Sequence, residues 1–195
     1  MNPIPGWMTD EDLAAIDSIC TRVPLGAPVL EIGSFLGRSS VQWAARLPSS
    51  RIVCVDAWQG APQDYVERWY LEQCWGDHEL MHMDQPMFPQ FLYNTRDFTN
   101  IIPIRSQSTE FSWVWHKSPA VIFIDGDHTD AGVQADLLAC YTRWQASPQT
   151  IICGHDYNPK FNNSVFRQVT TYADTLGLSV YHHPGSTIFE LRSNK

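Results

Sequence analysis

The sequence predicts an α/β fold: a mostly parallel sheet of seven strands with helices on both faces and an antiparallel hairpin at the end. Two observations lead to this prediction. Short β-branched runs alternate with segments of helical periodicity, which is typical of parallel βαβ units. The last two strand-like runs flank the turn His183-Pro-Gly-Ser186, which indicates a hairpin. A length of 195 residues suits one core, so residues 1–195 are interpreted as a single domain.

The predicted strands are short apolar runs, several of which end in a polar residue. They cover residues 28–33, 51–56, 101–104, 120–125, 150–153, 178–182 and 187–192. The fourth of these runs is apolar at successive positions, which predicts a central strand buried on both faces. Pro103 lacks a backbone donor and therefore predicts that the third strand is irregular or lies at an edge.

Helices are predicted between these strands from apolar spacing and from capping residues. Thr9 followed by Asp12 resembles a capped helix start, and Thr129 is a second candidate N-cap. Gly177 stands where a helix C-cap is expected. The predicted helices begin at Thr9, cover 39–47 and 110–115, begin again at Thr129, and cover 163–176.

Residues 58–99 interrupt this alternation with a segment rich in aromatic residues and methionine. Stacked rings and an apolar wall would suit an acceptor pocket or a lid over a bound cation. The same composition also fits an accessory helical layer or a dimer surface, and the segment's sequence does not identify an acceptor. A homodimer is left open.

Composition and charge narrow the classes of partner and compartment. The chain carries 13 basic and 21 acidic residues, a net charge of −8, which disfavours nucleic acid and favours a small neutral or cationic molecule. No apolar run approaches the roughly 18 residues of a membrane helix. The five cysteines are scattered and the N-terminus lacks the pattern of a signal peptide. We therefore expect a soluble, cytoplasmic protein without a membrane partner.

Three predicted parallel strands end in or near acidic residues: Glu31, Asp56 and Asp125. In an open α/β sheet ligands bind beyond the carboxyl ends of the strands, so these side chains are expected to converge. One such acid would be read as a loop cap. Three in register indicate a binding site.

The segment from Glu31 to Ser40 predicts a glycine turn followed by a helix N-terminus. Gly33 and Gly37 would permit a tight turn and close approach of a ligand, and the helix dipole favours an anionic group. Phe35 occupies the second glycine position of the dinucleotide pattern, which argues against a pyrophosphate. Asp56, at the end of the next strand, is placed to bind the hydroxyls of a ribose.

Three motifs together resemble the class I O-methyltransferases of the catechol and caffeoyl-CoA type, over about residues 27–192. They are Glu31-Ile-Gly-Ser-Phe-Leu-Gly-Arg-Ser39, Val121-Ile-Phe-Ile-Asp-Gly-Asp-His128 and Cys153-Gly-His-Asp-Tyr157. The overall likeness is to a broad group of methyltransferases with a FIDGDH signature. The resemblance implies a Rossmann-like fold and S-adenosylmethionine as cofactor.

The resemblance also implies which residues bind the cofactor. The implied contacts are Glu31 and Gly33 with the methionine moiety, Ser39 with its carboxylate, Asp56 with the ribose, and Ser108 with the adenine, with Gln107 beside it. Without a metal, Asp125 would contact the cofactor's amino group or the acceptor. Ser108 can equally be read as a plain helix cap.

Asp125, His155 and Asp156 stand where metal-dependent relatives place their ligands, which implies a divalent ion such as Mg or Mn. The chain departs from that pattern because the relatives usually have an acid in place of His155. An imidazole favours a transition metal, or no metal at all. His128 stands where those relatives often carry a basic catalytic residue, so His128 and Asp125 are the candidate catalytic residues. A helix cap is the simpler interpretation of His128.

These observations predict methyl transfer from S-adenosylmethionine to a small-molecule acceptor, with a hydroxyl oxygen as the preferred acceptor atom. The reaction would be an in-line displacement with His128 as base. The alternatives are a metal-independent N- or C-methyltransferase, a nucleotide-binding oxidoreductase, and a non-catalytic protein that binds the nucleotide or adenosylmethionine.

Overall fold

A computed structural model of the chain describes residues 4–59, 87–160 and 163–194. Its helices are α1 (Asp10–Cys20), α2 (Arg38–Arg46), α3 (Met87–Thr95), α4 (Asp130–Thr142) and α5 (Asn163–Leu176). Its strands are β1 (Val29–Ile32), β2 (Ile52–Asp56), β3 (Ile101–Arg105), β4 (Val121–Ile124), β5 (Ile151–Gly154), β6 (Leu178–His182) and β7 (Phe189–Ser193).

The seven strands form one sheet in the order β3-β2-β1-β4-β5-β7-β6. The first five are parallel, and β7 pairs antiparallel with both β5 and β6. The predicted fold class is therefore confirmed, including the closing hairpin. The strand with Pro103 lies at one edge, and β4 lies centrally between β1 and β5 with all four residues buried.

Side-chain alternation along the strands divides the core into two apolar layers. Leu30 and Ile32 pack with α4 and α5 on one face of the sheet. Val29 packs with α1, α2 and α3 on the other face. Because both faces are covered, the parallel strands are apolar at successive positions, and the prediction that β4 is buried on both faces is confirmed. The carboxyl ends of β1, β2 and β4 consequently lie at one edge of this packed sheet.

The first helix begins with a complete capping box. The Thr9 hydroxyl accepts a hydrogen bond from the Asp12 backbone, and the Asp12 carboxylate accepts one from the Thr9 backbone at 2.8 Å. Thr129 caps α4 by accepting from the backbone of Gly132. Both predicted caps are confirmed.

The prediction of a helix over 110–115 is wrong. A turn at 108–110 is followed by an extended segment in which Phe111 and Trp113 are buried while Ser112 and Val114 are exposed. This period-two burial requires extended backbone. The Trp113 backbone donates to the carbonyl oxygen of Arg143 at 3.0 Å, which holds the segment against the end of α4.

The aromatic segment 58–99 is described only in part, since residues 60–86 lie outside the described residues. In the described part, Trp58 and Phe91 are buried, and their rings lie 4.8 Å apart. Both belong to the core layer beneath α2. These two aromatics therefore contribute to the core, and the pocket or lid predicted for residues 58–99 stays a prediction.

No helix within the described ranges combines the length and apolar character needed to cross a membrane. All four cysteines among the described residues (Cys20, Cys54, Cys140 and Cys153) are free and buried. They pack as small apolar side chains.

An ion pair between the exposed Arg22 and the buried carboxylate of Glu190 joins the segment after α1 to β7. Arg22 donates two hydrogen bonds of 2.7 Å to the carboxylate of Glu190, and Arg192 donates two more at 3.1 and 3.2 Å. Burial alone would raise the pKa of Glu190, but the two guanidinium groups outweigh it and lower the pKa from 4.5 to about 2. The stabilisation from this carboxylate is therefore fully present above pH 4.5 and is lost as the pH falls towards 2.

We expect Arg22→Met to lower the free energy of unfolding at pH 7 by about 2 kcal/mol, because Glu190 keeps only one arginine. The midpoint of acid unfolding should also move to higher pH, as the pKa of Glu190 rises towards its ordinary value. Circular dichroism between pH 7 and 2 measures both effects. Arg46→Met, which removes an exposed pair with Asp17, is the matched control and should change little. Equal behaviour of the two variants would contradict this role for Glu190.

Candidate functional site

The glycine turn after β1 is held by packing against two other segments of the protein. Gly33 has φ +82°, and a Cβ atom there would lie 2.0 Å from the carbonyl oxygen of Asp125. Gly37 has φ +92°, and its Cβ would lie 2.8 Å from the Thr95 side chain on α3. Both positions thus require glycine for turn geometry and for close contact within the protein. The expected tight turn is present.

Between the two glycines, Phe35 adopts a left-handed conformation with φ +43°, which is uncommon for a bulky residue. Its backbone N–H donates to Asp56 Oδ2 at 2.9 Å, and its carbonyl oxygen accepts from the Trp58 indole at 2.6 Å. Asp56 Oδ1 accepts a further hydrogen bond from the backbone of Trp58 at 2.6 Å. The carboxylate of Asp56 therefore fixes the glycine turn to the end of β2.

Asp56 is the last residue of β2 and Asp125 directly follows β4, so the two acids lie at the carboxyl ends of the strands that flank β1. Burial raises the pKa of Asp56, backbone donors partly oppose the rise, and the negative charge of Asp125 adds to it. Two of the three acids predicted to converge, Asp56 and Asp125, lie at this edge, whereas the third, Glu31, is fully buried beneath the glycine turn. A ligand at this edge would meet two carboxylates separated by the turn at Gly33.

Glu31 lies beneath the glycine turn and is fully buried. Its Oε2 accepts hydrogen bonds from the hydroxyls of Ser34, at 2.7 Å, and Ser40. Its Oε1 has no hydrogen-bond partner among the described residues. Burial raises the pKa of Glu31, and hydroxyl groups including that of Ser39 partly oppose this rise. Glu31 thus lies close to Ser39, which is in the first turn of α2.

Gln107 and Ser108 follow the edge strand β3, with Gln107 exposed and Ser108 half-buried. Ser108 lies near Asp136, an acid on α4 that is almost fully buried. Burial raises the pKa of Asp136 to about 6, and the Ser108 hydroxyl opposes part of that rise. Neither carboxylate oxygen of Asp136 reaches a donor at full hydrogen-bond geometry among the described residues.

Two histidines and two acids meet beyond β4 and β5. The Nε2 atom of His128 lies 3.4 Å from Asp125 Oδ1 and 3.3 Å from Asp156 Oδ2. The Nδ1 atom of His155 lies 3.4 Å from Asp125 Oδ1 and 3.4 Å from Asp156 Oδ1. Asp156 has φ +61°, a left-handed conformation that turns the chain immediately after β5.

These four residues differ in exposure and in charge preference. Burial disfavours the cationic form of each imidazole, but the surrounding acids outweigh it: they raise the pKa of His155 to about 12 and raise that of His128. The histidines in turn lower the pKa of Asp125 against the effect of burial. The His155 side chain is 5% exposed, whereas that of His128 is 41% exposed and accessible to a ligand.

One residue of this cluster was not anticipated as part of the site. Asp12, on α1, places Oδ2 3.3 Å from Nε2 of His155, across 143 positions of sequence. Helix capping alone explains an acidic residue at Asp12 in the sequence, so nothing in the sequence indicated a second contact. Only the tertiary structure brings α1 against the segment after β5.

Comparison with known proteins gives a family match. The family model described as "Methyltransferase domain" matches residues 30–157, about two thirds of the chain. This range includes the glycine turn, Asp56 and the whole histidine and acid cluster apart from Asp12. No curated protein matches the chain.

Several solved structures share the fold at low sequence identity. The O-methyltransferase NovP has a TM-score of 0.67 and 14% identity, covering 94% of this chain and 80% of NovP. The calicheamicin methyltransferase CalS11 has a TM-score of 0.64 and 15% identity, covering 94% and 79%. The SAH-bound methyltransferase PaMTH1 from Podospora anserina has a TM-score of 0.60 and 14% identity, covering 92% and 76%. At these identities the likeness concerns the fold.

Replacement of Gly33 tests whether the turn depends on its contact with Asp125. Gly33→Ala adds a Cβ that clashes with a backbone oxygen at 2.0 Å and also forces alanine into positive φ. Gly177→Ala is the matched control, because Gly177 has φ +64° and nothing within 4 Å of its Cβ position. We expect a loss of about 1 kcal/mol for the control and about 3 kcal/mol or more for Gly33→Ala, measured by urea unfolding. Equal losses would mean that φ alone requires glycine at Gly33.

Proposed function

The chain belongs to the methyltransferase-domain family, and on that premise we propose that it transfers a methyl group from S-adenosylmethionine to a small-molecule acceptor. The observation that carries this proposal is the convergence of a glycine turn, Asp56 and Asp125 at one edge of the sheet. Open α/β sheets bind ligands at this edge. Phe35 at the middle glycine position disfavours a pyrophosphate, and hence a dinucleotide.

In this proposal Asp56 binds the ribose hydroxyls, since its carboxylate lies at the end of β2. Glu31, Gly33 and Ser39 surround the methionine moiety, and the free amides at the start of α2 attract its carboxylate. Ser108 and Gln107 contact the adenine from the turn after β3. Glu31 would act chiefly by holding the serines of the turn, because its side chain is fully buried beneath them.

A hydroxyl oxygen is the proposed acceptor, with His128 as the base. His128 is the more exposed of the two histidines, and its imidazole lies beside Asp125 and Asp156, which orient it. The residues would align acceptor and sulfonium in line, remove the acceptor proton and exclude water. The pocket or lid predicted for residues 58–99 stays a prediction, because much of that segment lies outside the described residues.

The residues also fit a divalent metal ion. Nδ1 of His155 lies 3.4 Å from Oδ1 of Asp125 and 3.4 Å from Oδ1 of Asp156, distances longer than a strong hydrogen bond and suited to neighbouring ligands of one ion. One ligand atom each from Asp125, His128 and Asp156 also fall within 4.8 Å of one another. A bound ion would supply positive charge that polarises an acceptor hydroxyl. The chain's own groups orient the acceptor and move its proton.

Calorimetry with S-adenosylhomocysteine tests the proposed cofactor site. Asp56→Asn should weaken binding at least about tenfold, because an amide replaces one of two acceptors for the ribose hydroxyls. Asp17→Asn, which alters an acid on α1 paired with Arg46, is the control and should bind as the original protein does. Binding of NAD but not of S-adenosylhomocysteine would favour the oxidoreductase alternative instead.

Replacement of His128 tests the catalytic role separately from cofactor binding. We expect His128→Ala to lower turnover about 10²- to 10⁴-fold, the usual contribution of a general base, while calorimetric affinity for S-adenosylhomocysteine stays unchanged. His116→Ala, at an exposed histidine in the loop before β4, is the control. An undiminished rate in His128→Ala would mean that His128 has no catalytic role. Cofactor binding without any turnover in the original protein would favour the non-catalytic alternative.

A further inference from the structure

Asp12 makes more contacts than a helix cap requires. A capping box needs one carboxylate oxygen of Asp12, and Oδ2 fulfils this by accepting from the Thr9 backbone at 2.8 Å. The other oxygen, Oδ1, accepts from the backbone of Thr187 at 2.7 Å, in the turn before β7. Asp12 is 1% exposed and is therefore fixed from two directions.

The orientation of this carboxylate determines the orientation of His155. Nε2 of His155 faces Asp12 at 3.3 Å, and no other acid is within ion-pair distance of that nitrogen among the described residues. The opposite nitrogen, Nδ1, therefore points to the pair Asp125 and Asp156, 3.4 Å from an oxygen of each. The His155 ring is buried between these groups and has little freedom to turn.

A histidine that donates one ring N–H to a carboxylate presents the lone pair of the other nitrogen to a metal ion. In this protein Asp12 is the carboxylate at Nε2 of His155, and Asp125 and Asp156 lie at Nδ1. With Nε2–H directed at Asp12, Nδ1 is the nitrogen available for coordination, and an ion that binds there displaces the proton that Nδ1 carries in the metal-free protein. Nitrogen ligands favour first-row transition ions, whereas Mg²⁺ prefers a set made only of oxygen.

We propose that Asp12 is the positioning residue that fixes Nδ1 of His155 as a metal ligand beside Asp125 and Asp156, so that the site binds a divalent transition ion in preference to Mg²⁺. This inference rests on the proposed function, because it concerns the metal at the proposed methyl-transfer site. It assigns Asp12 no contact with substrate or cofactor.

Metal affinity gives a test that does not depend on activity. Metal-free protein is titrated with Co²⁺ and, in parallel, with Mg²⁺, by calorimetry and by the visible absorption of bound Co²⁺. We expect Co²⁺ to bind at least about tenfold more tightly than Mg²⁺. Asp12→Asn should weaken Co²⁺ binding about 10- to 100-fold, the usual cost of removing a group that orients a ligand. Glu11→Gln removes an exposed acid from the same helical turn and should leave Co²⁺ affinity unchanged.

A spectroscopic measurement on the original protein keeps the inference testable if Asp12→Asn does not fold. Long-range ¹H–¹⁵N spectra of the Zn²⁺-loaded protein report which ring nitrogen of His155 binds the ion, and His155→Gln assigns the signal. We expect a metal-bound Nδ1 and a protonated Nε2. If Asp12 served only as a helix cap, it would not determine which ring nitrogen of His155 is protonated.

Three outcomes would overturn the inference: Mg²⁺ binding as tight as Co²⁺, equal Co²⁺ affinity in folded Asp12→Asn and Glu11→Gln, or coordination through Nε2. Binding of S-adenosylhomocysteine in the presence of EDTA is measured on the same samples. If that binding persists while one of these outcomes occurs, only the metal inference fails. If S-adenosylhomocysteine does not bind with or without metal, the proposed function fails, whatever the metal titrations give.

Discussion

The contact between the backbone at Gly33 and the carbonyl oxygen of Asp125 is the constraint on which the rest of the site depends. A Cβ at Gly33 would stand 2.0 Å from that oxygen, so the turn after β1 and the loop after β4 are pressed together without an intervening side chain. This approach brings Asp125 next to the turn that Asp56 fixes from the other side. Backbone packing therefore positions both acids without the help of a ligand.

The electrostatic balance of the site follows from the same packing. Asp12, Asp125 and Asp156 surround His155, and each would be costly to bury as an isolated charge. The imidazoles of His155 and His128 compensate these acids, and the acids in turn raise the pKa of both histidines. Asp56 accepts hydrogen bonds from the backbone N–H groups of Phe35 and Trp58. The two acids flanking β1 therefore have different chemical environments despite their similar positions in the sheet.

Much of the fold followed from local patterns, because both apolar faces of the sheet leave a clear signature in the strands. The strand ends, the Thr9 and Thr129 caps and the closing hairpin were predictable for this reason. The segment after Ser108 was not, although Phe111 and Trp113, two positions apart, share a face only in extended backbone. The contact of this segment with the end of α4 is a tertiary one and has no local signature. The contact of Asp12 with His155 spans 143 positions and has no local signature at all. Gly33 was recognised as a turn residue, but the atom that excludes a side chain there is a protein carbonyl.

The hydrogen bond from the Thr187 backbone to Asp12 joins positions separated by 175 residues. Contacts of such long range form only after much of the intervening chain is already ordered, because closing the loop between them carries an entropic cost. During synthesis, which proceeds from the N-terminus, His155 emerges before the turn containing Thr187 does. The carboxylate facing it is then held by the helix cap alone. The imidazole is therefore fully fixed only when the closing hairpin has formed, so β6 and β7 complete the site in a newly made molecule.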